Sequence, residues 1–148
     1  MREKFDAEAF AQNWIRDWNA HDLEAIMDHY DESIVFRSPL IAKILGDPSG
    51  EIRGRERLRS YFAKGLALYP DLRFVFQRAF AGMNSVAIFY TSVNETPACE
   101  VMAFNERGLV TQCMAHYARH GDTRIGPERG DEGASDRGTA PSGLTGSG

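Results

Sequence analysis

A chain of 148 residues, 43% hydrophobic and 11% aromatic with a net charge of −4, suits a single domain that buries roughly two-thirds of its unfolded surface. The missing basic excess argues against a nucleic-acid partner. No apolar run approaches the ~18 residues of a membrane span, and "MREKFDAEAF" lacks a secretory signal, so no membrane partner is expected and the cytoplasm is the expected location.

In chain order, Phe10, Trp14, Ile15 and Trp18 recur at helical spacing, so "AEAFAQNWIRDWN" reads as an amphipathic helix with one aromatic face. Asp22 is a cap for a second helix, "LEAIMDHY", striped by Leu23, Ile26, Met27 and Tyr30. "SIVFRSP" alternates as a short strand with Ile34, Phe36 and Ser38 on one face, and Pro39 ends its ladder. "IAKILGDPSGEIRG" carries two turn signals and reads as a loop, and "RERLRSYFAKGLALY" as a third helix with Leu58, Tyr61, Phe62 and Leu66 inward. After Pro70 come the strands "LRFVFQRAF", "SVAIFYTSVN", "ACEVMAFN" and "LVTQCMAHYAR". Helices followed by a meander predict an α+β domain, with three N-terminal helices packed on one face of a curved antiparallel sheet. Residues 121–148, rich in glycine and opposed charges and poor in large apolar side chains, read as a disordered tail behind a domain of residues 1–120.

No Walker loop, dinucleotide GxGxxG, GxSxG elbow or HExxH occurs. Cys99 and Cys113 lie in no CxxC or Cys/His ligand spacing and read as reduced thiols, so no metal and no cofactor is implied. His21, His29, His116 and His120 read as surface or interface residues, and Arg53, Arg55, Arg57 and Arg59 as a solvated helix entrance. The aromatic set, Phe89 included, reads mostly as core. A sheet closed by helices also leaves room for an apolar small-molecule cavity. Glu100 is the candidate polar group for it, because alternation places Glu100 in one row with Met102 and Phe104, opposite Cys99, Val101 and Ala103. Buried there, its pKa would rise; a salt bridge to an arginine or a solvated sheet edge is the competing reading.

"EVMAFNERGLV" followed by "AHYA", together with "WNAHDLEAIMDHYDESIVFRSP" and "IRGRERLRSYFAKGL", resembles the nuclear transport factor 2-like superfamily. That group includes SnoaL-like cyclases, limonene epoxide hydrolases and ketosteroid isomerases. The resemblance covers most of residues 10–118 and implies a cone-shaped pocket between helices and sheet. It aligns Glu100 with the protonated carboxylic acid of the isomerase oxyanion hole, a case of a carboxyl kept neutral by an apolar site, and Tyr30 with the tyrosine that supports the hole. The oxyanion tyrosine falls on Trp14 and the proton-abstracting aspartate on Ser38, neither of which can take that part. The water-activating residues of the epoxide hydrolases fall near Thr91, Val93 and Ala115. The implied function is a pocket for a small, apolar, oxygen-bearing molecule, with proton transfer next to a carbonyl (isomerisation, dehydration or cyclisation) as the reaction class. Glu100, Tyr30 and Ser38 are the expected catalytic or polar groups, and Trp14, Trp18, Phe36, Phe62, Thr91, Met102, Cys113 and Tyr117 the ligand contacts. A homodimer through the sheet, using Gln112, Met114 and His116 with Val101 and Ala103, is expected. The competing function is a non-catalytic ligand-sensing or dimerisation domain.

Overall fold

The computed structural model describes residues 5–118; the expected tail at 121–148 lies outside them. Helix α1 (Ala7–Asn19) starts where the Asp6 carboxylate accepts from the Ala9 N–H at 3.0 Å, and it buries Trp14, Ile15 and Trp18 as the spacing predicts, with Ala11 beside them and Phe10 half-buried. Helix α2 (Leu23–Met27) is capped by Asp22, which accepts from Ala25 N–H at 3.1 Å. It ends three residues earlier than the apolar stripe suggested: Tyr30 opens strand β1 (Tyr30–Arg37) instead. The physical reason is shared burial, since Tyr30 belongs to the apolar face under either reading. Arg55 fastens this corner by donating to the Met27 and Tyr30 carbonyls, so that arginine is not merely a solvated helix entrance.

The segment expected as a loop contains two elements. Ser38 caps helix α3 (Pro39–Leu45), with Pro39 in its first turn, where a missing N–H costs nothing. Gly46 then ends the helix at φ 72°, a left-handed cap suited to glycine. A three-residue strand β2 (Glu51–Arg53) follows and pairs antiparallel with β1. Helix α4 (Arg55–Leu68) buries Leu58, Tyr61 and Phe62. Strands β3 (Val75–Gly82), β4 (Ser85–Thr91), β5 (Pro97–Phe104) and β6 (Val110–Tyr117) form the expected meander.

The six strands lie in the order β2-β1-β6-β5-β4-β3. All pairs are antiparallel except β1 with β6, which run parallel. The α+β architecture is therefore as expected, with three differences: the sheet is mixed, a fourth helix lies between β1 and β2, and β2 itself adds an edge strand. The inner face carries Val86, Ile88 and Tyr90 on β4, Ala98, Glu100 and Met102 on β5, and Val110, Cys113 and Ala115 on β6, all buried. Phe89 points the other way and is 42% exposed, so it is not a core aromatic.

Candidate functional site

A cavity opens between the inner face of the sheet and the helices. Its space measures about 550 Å³ including the mouth to solvent. Trp14 and Trp18 from α1, Tyr61 and Phe62 from α4, Phe74 ahead of β3, and Tyr90 from β4 supply most of the aromatic wall. Leu40 and Ile44 of α3, the helix the sequence did not reveal, line it as well. Asn19 fixes Phe74 in place: its amide accepts from the Phe74 N–H at 2.6 Å and donates to the Phe74 carbonyl at 2.9 Å.

Glu100 sits in this wall, 4% exposed. The strand register explains its two partners. Ile88 lies opposite Glu100 on β4 and Ala115 opposite it on β6, so Tyr90 and Cys113 are its diagonal neighbours on the same face. Tyr90 O–H donates to Glu100 Oε1 at 2.8 Å, and the Cys113 thiol donates to Oε2 at 3.5 Å. Burial raises the glutamate pKa above its ordinary value; the hydrogen bonds from Tyr90 and Cys113 and the nearby His116 offset part of that rise. Burial first, and then the Glu100 charge, holds the Tyr90 phenol and the Cys113 thiol well above their ordinary values, so both stay protonated donors. Among the described residues lining the cavity there is one carboxylate and no lysine, arginine or histidine. The salt-bridged or solvated alternative for Glu100 therefore does not describe it.

The expected site residues divide into three groups. Glu100, Trp14, Trp18, Phe36, Phe62 and Tyr117 line the cavity together. Tyr30, Ser38, Met102 and Cys113 are buried but stand behind its wall. Tyr30 accepts from the Trp14 indole N–H at 3.1 Å. Ser38 Oγ accepts from the Leu40 N–H at 3.1 Å and stands beside the Tyr61 and Tyr117 phenols, limiting the rise that burial gives their pKa. Thr91 is separate: it follows Tyr90 onto the outer face, where Gln77 donates to its hydroxyl at 3.1 Å. The residues the sequence reading missed are chiefly Tyr90, Tyr61, Tyr69 and Ser92. Tyr90 had a signal, because Val86 and Ile88 mark the apolar parity of β4 and Tyr90 continues it.

Among the described residues no helix is long and apolar enough to cross a membrane, and no group of three or more His, Cys, Asp or Glu is placed to hold a metal ion.

Comparison with known proteins gives a consistent picture. The family model of the SnoaL-like domain matches residues 11–125. A SnoaL-like protein of unknown function from Burkholderia thailandensis is 42% identical, covering 76% of this chain and 94% of its own, with a TM-score of 0.74. A putative isomerase of the SnoaL-like family from Agrobacterium tumefaciens is 15% identical over 76% of this chain and 97% of its own, TM-score 0.62. AclR, a putative hydroxylase from Streptomyces galilaeus, is 18% identical over 75% and 87%, TM-score 0.58. The last two likenesses are of fold alone. No curated protein matches the chain significantly.

Proposed function

We propose that this chain, which belongs to the SnoaL-like family, holds one small, flat, mostly apolar, oxygen-bearing molecule in its cavity and exchanges a proton with it next to a carbonyl. The observation that carries this reading is Glu100: a carboxyl 4% exposed in an aromatic wall, hydrogen-bonded by Tyr90 and facing no basic side chain among the lining residues. A carboxyl with a raised pKa is suited to taking and returning a proton near neutral pH. In the reaction class proposed, Glu100 removes a proton from the carbon beside the carbonyl, and the C–H electron pair moves into an enolate. The same carboxyl then protonates a different carbon for isomerisation, or the leaving oxygen for dehydration. Electrons balance without an oxidant. Tyr90 holds the carboxyl, while Trp14, Trp18, Phe36, Phe62 and Tyr117 sandwich the ring.

The test is Glu100→Gln with a panel of cyclic ketones and enones, followed by deuterium uptake at the position next to the carbonyl. Wild type is expected to catalyse exchange and the variant, still folded by circular dichroism, to lose it by at least about a hundredfold. Full exchange activity in the variant would remove Glu100 from the mechanism.

The reading includes pairing of two copies through the outer sheet face. Phe80, Phe89 and Met114 are exposed there, with Val101 and Cys99 half-buried between them. Pairing is compatible with catalysis and with the competing function as a ligand-sensing domain; exchange activity decides between those two.

A further inference from the structure

Six glycines lie among the described residues, and five have a local reason to be there. Four carry a positive φ, and a Cβ at Gly82 would run into Ser85 Oγ. Gly65 has neither reason. Its φ is not left-handed, and a Cβ built on it meets nothing within 4 Å. Its carbonyl accepts from the Tyr69 N–H at 3.0 Å, so the helix is still regular at this point and the glycine is not a cap. Glycine there weakens α4 relative to alanine, because its backbone gives up more freedom on folding.

The position gives the gap a meaning. Gly65 comes three residues after Phe62, four after Tyr61 and seven after Leu58, so it stands in the middle of the buried face of α4, where a side chain points inward. Tyr61, Phe62 and Gly65 all belong to the cavity wall, and the open space that a Cβ would enter is therefore cavity. Gly65 is half-buried, as are the wall residues Leu40, Ile44, Tyr69 and Val93, and together they form an uncharged, largely apolar rim. Glu100 belongs to the buried part of the wall.

We propose that Gly65 is a specificity-determining residue: it keeps the rim clear for an apolar arm of the ligand, which leaves a ring held at Glu100 and runs over the bare backbone of α4 beside Leu40, Ile44, Tyr69 and Val93. The proposal rests on the cavity being a ligand site, and it changes the expected ligand from a lone ring to a ring ketone carrying an alkyl or aryl substituent. A lone ring leaves the gap at Gly65 unused. A ring with an arm fills it and gains binding from the apolar surface buried there.

The experiment compares cyclohexanone with its 2-pentyl and 4-pentyl derivatives, which place one arm beside the carbonyl or across the ring from it. Both tryptophans line the cavity, so binding is read from the quenching of tryptophan fluorescence. At least one pentyl ketone should bind wild type about tenfold more tightly than cyclohexanone or better, with nuclear Overhauser contacts from the chain to the Gly65 Hα protons. In Gly65→Leu, which fills the gap, that advantage should disappear while cyclohexanone binds as before. Gly65→Ala, which adds one methyl group, should raise the denaturant midpoint and keep most of the advantage. If cyclohexanone binds wild type and neither pentyl ketone improves on it, if the advantage survives in Gly65→Leu, or if the Overhauser contacts of the arm fall elsewhere, the proposal is overturned and the cavity reading stands. Loss of cyclohexanone binding in a folded Gly65→Leu, or a lowered midpoint in Gly65→Ala, overturns it as well, the first by making Gly65 part of the seat of the ring and the second by revealing a packing reason for the glycine. Should Gly65→Leu fail to fold, the Overhauser contacts in wild type decide. If no ketone binds wild type, the cavity reading fails and the proposal falls with it.

Discussion

Glu100 and Tyr90 form a pair whose parts are separable by mutation. The Tyr90 hydroxyl stabilises the ionised carboxylate, so Tyr90→Phe should raise the Glu100 pKa further, read from the carbon-13 shift of the carboxyl across pH. A bond of this charge-assisted kind is worth about 1.5–3 kcal/mol. An unchanged titration would mean that Tyr90 only fills space. The same shift links Glu100 to stability. Its folded pKa lies above the ~4.3 of an unfolded glutamate, so the folded chain holds the proton more tightly. Its contribution is therefore fully present below about pH 4 and is lost as pH rises through the folded value, at about 1.4 kcal/mol for each unit of difference. Denaturant unfolding of Glu100→Gln, which has nothing to ionise there, should lack that decline, and parallel curves for both proteins would contradict it. Strand alternation alone made Glu100 legible, because one charge in an apolar row is conspicuous. Tyr90 was hidden by its neighbour: Phe89 and Tyr90 are adjacent aromatics of opposite faces, and only the parity set by Val86 and Ile88 tells them apart.

The helices show how local chemistry can be visible and still be assigned to the wrong element. Asp22 was legible as a cap because α2 begins immediately after it; Asp22→Ala should cost about 1 kcal/mol, measured by denaturant unfolding. Ser38 and Pro39 are equally good helix-start residues, but they also end a strand, and the glycine and proline that follow in "ILGDPSG" pointed to a loop. Both meanings are true in the structure: β1 stops at Arg37 and α3 begins at Pro39. Gly46 offers the cleanest test of α3. A Cβ built there meets nothing within 4 Å, so the cost of Gly46→Ala comes from forcing a side chain into φ 72°, about 1 kcal/mol of stability. A larger loss would mean that α3 also rearranges, and the cavity with it, since Leu40 and Ile44 are wall residues. The backbone after β4 carries a similar conformation in residues less suited to it. Asn94 and Glu95 both have positive φ, at 58° and 57°, and follow the wall residues Ser92 and Val93.

Two rows of outward side chains cross the sheet, Phe80, Ala87, Val101 and Met114 in one and Arg78, Phe89, Cys99 and His116 in the next. If two copies pair there, Phe89→Lys or Met114→Lys should turn a dimer into a monomer in sedimentation velocity without loss of helix signal; a wild-type monomer at micromolar concentration would refute the pairing. The architecture at large was legible because helices and meander follow one another in blocks. The parallel pairing was not, because it joins distant parts of the chain and leaves no local trace. That pairing bears on how the polypeptide acquires its shape. Strand β1, at residues 30–37, finds its second neighbour only in residues 110–117, so a nascent chain halted ahead of Val110 has β1 with an open edge and β5 paired on the β4 side alone. Ordering must wait for that late segment, and closing so long a loop makes the search slow. During synthesis the apolar inner surface beside that gap stays uncovered until β6 has emerged, so the growing chain, rather than the finished one, is the form most open to association with other chains.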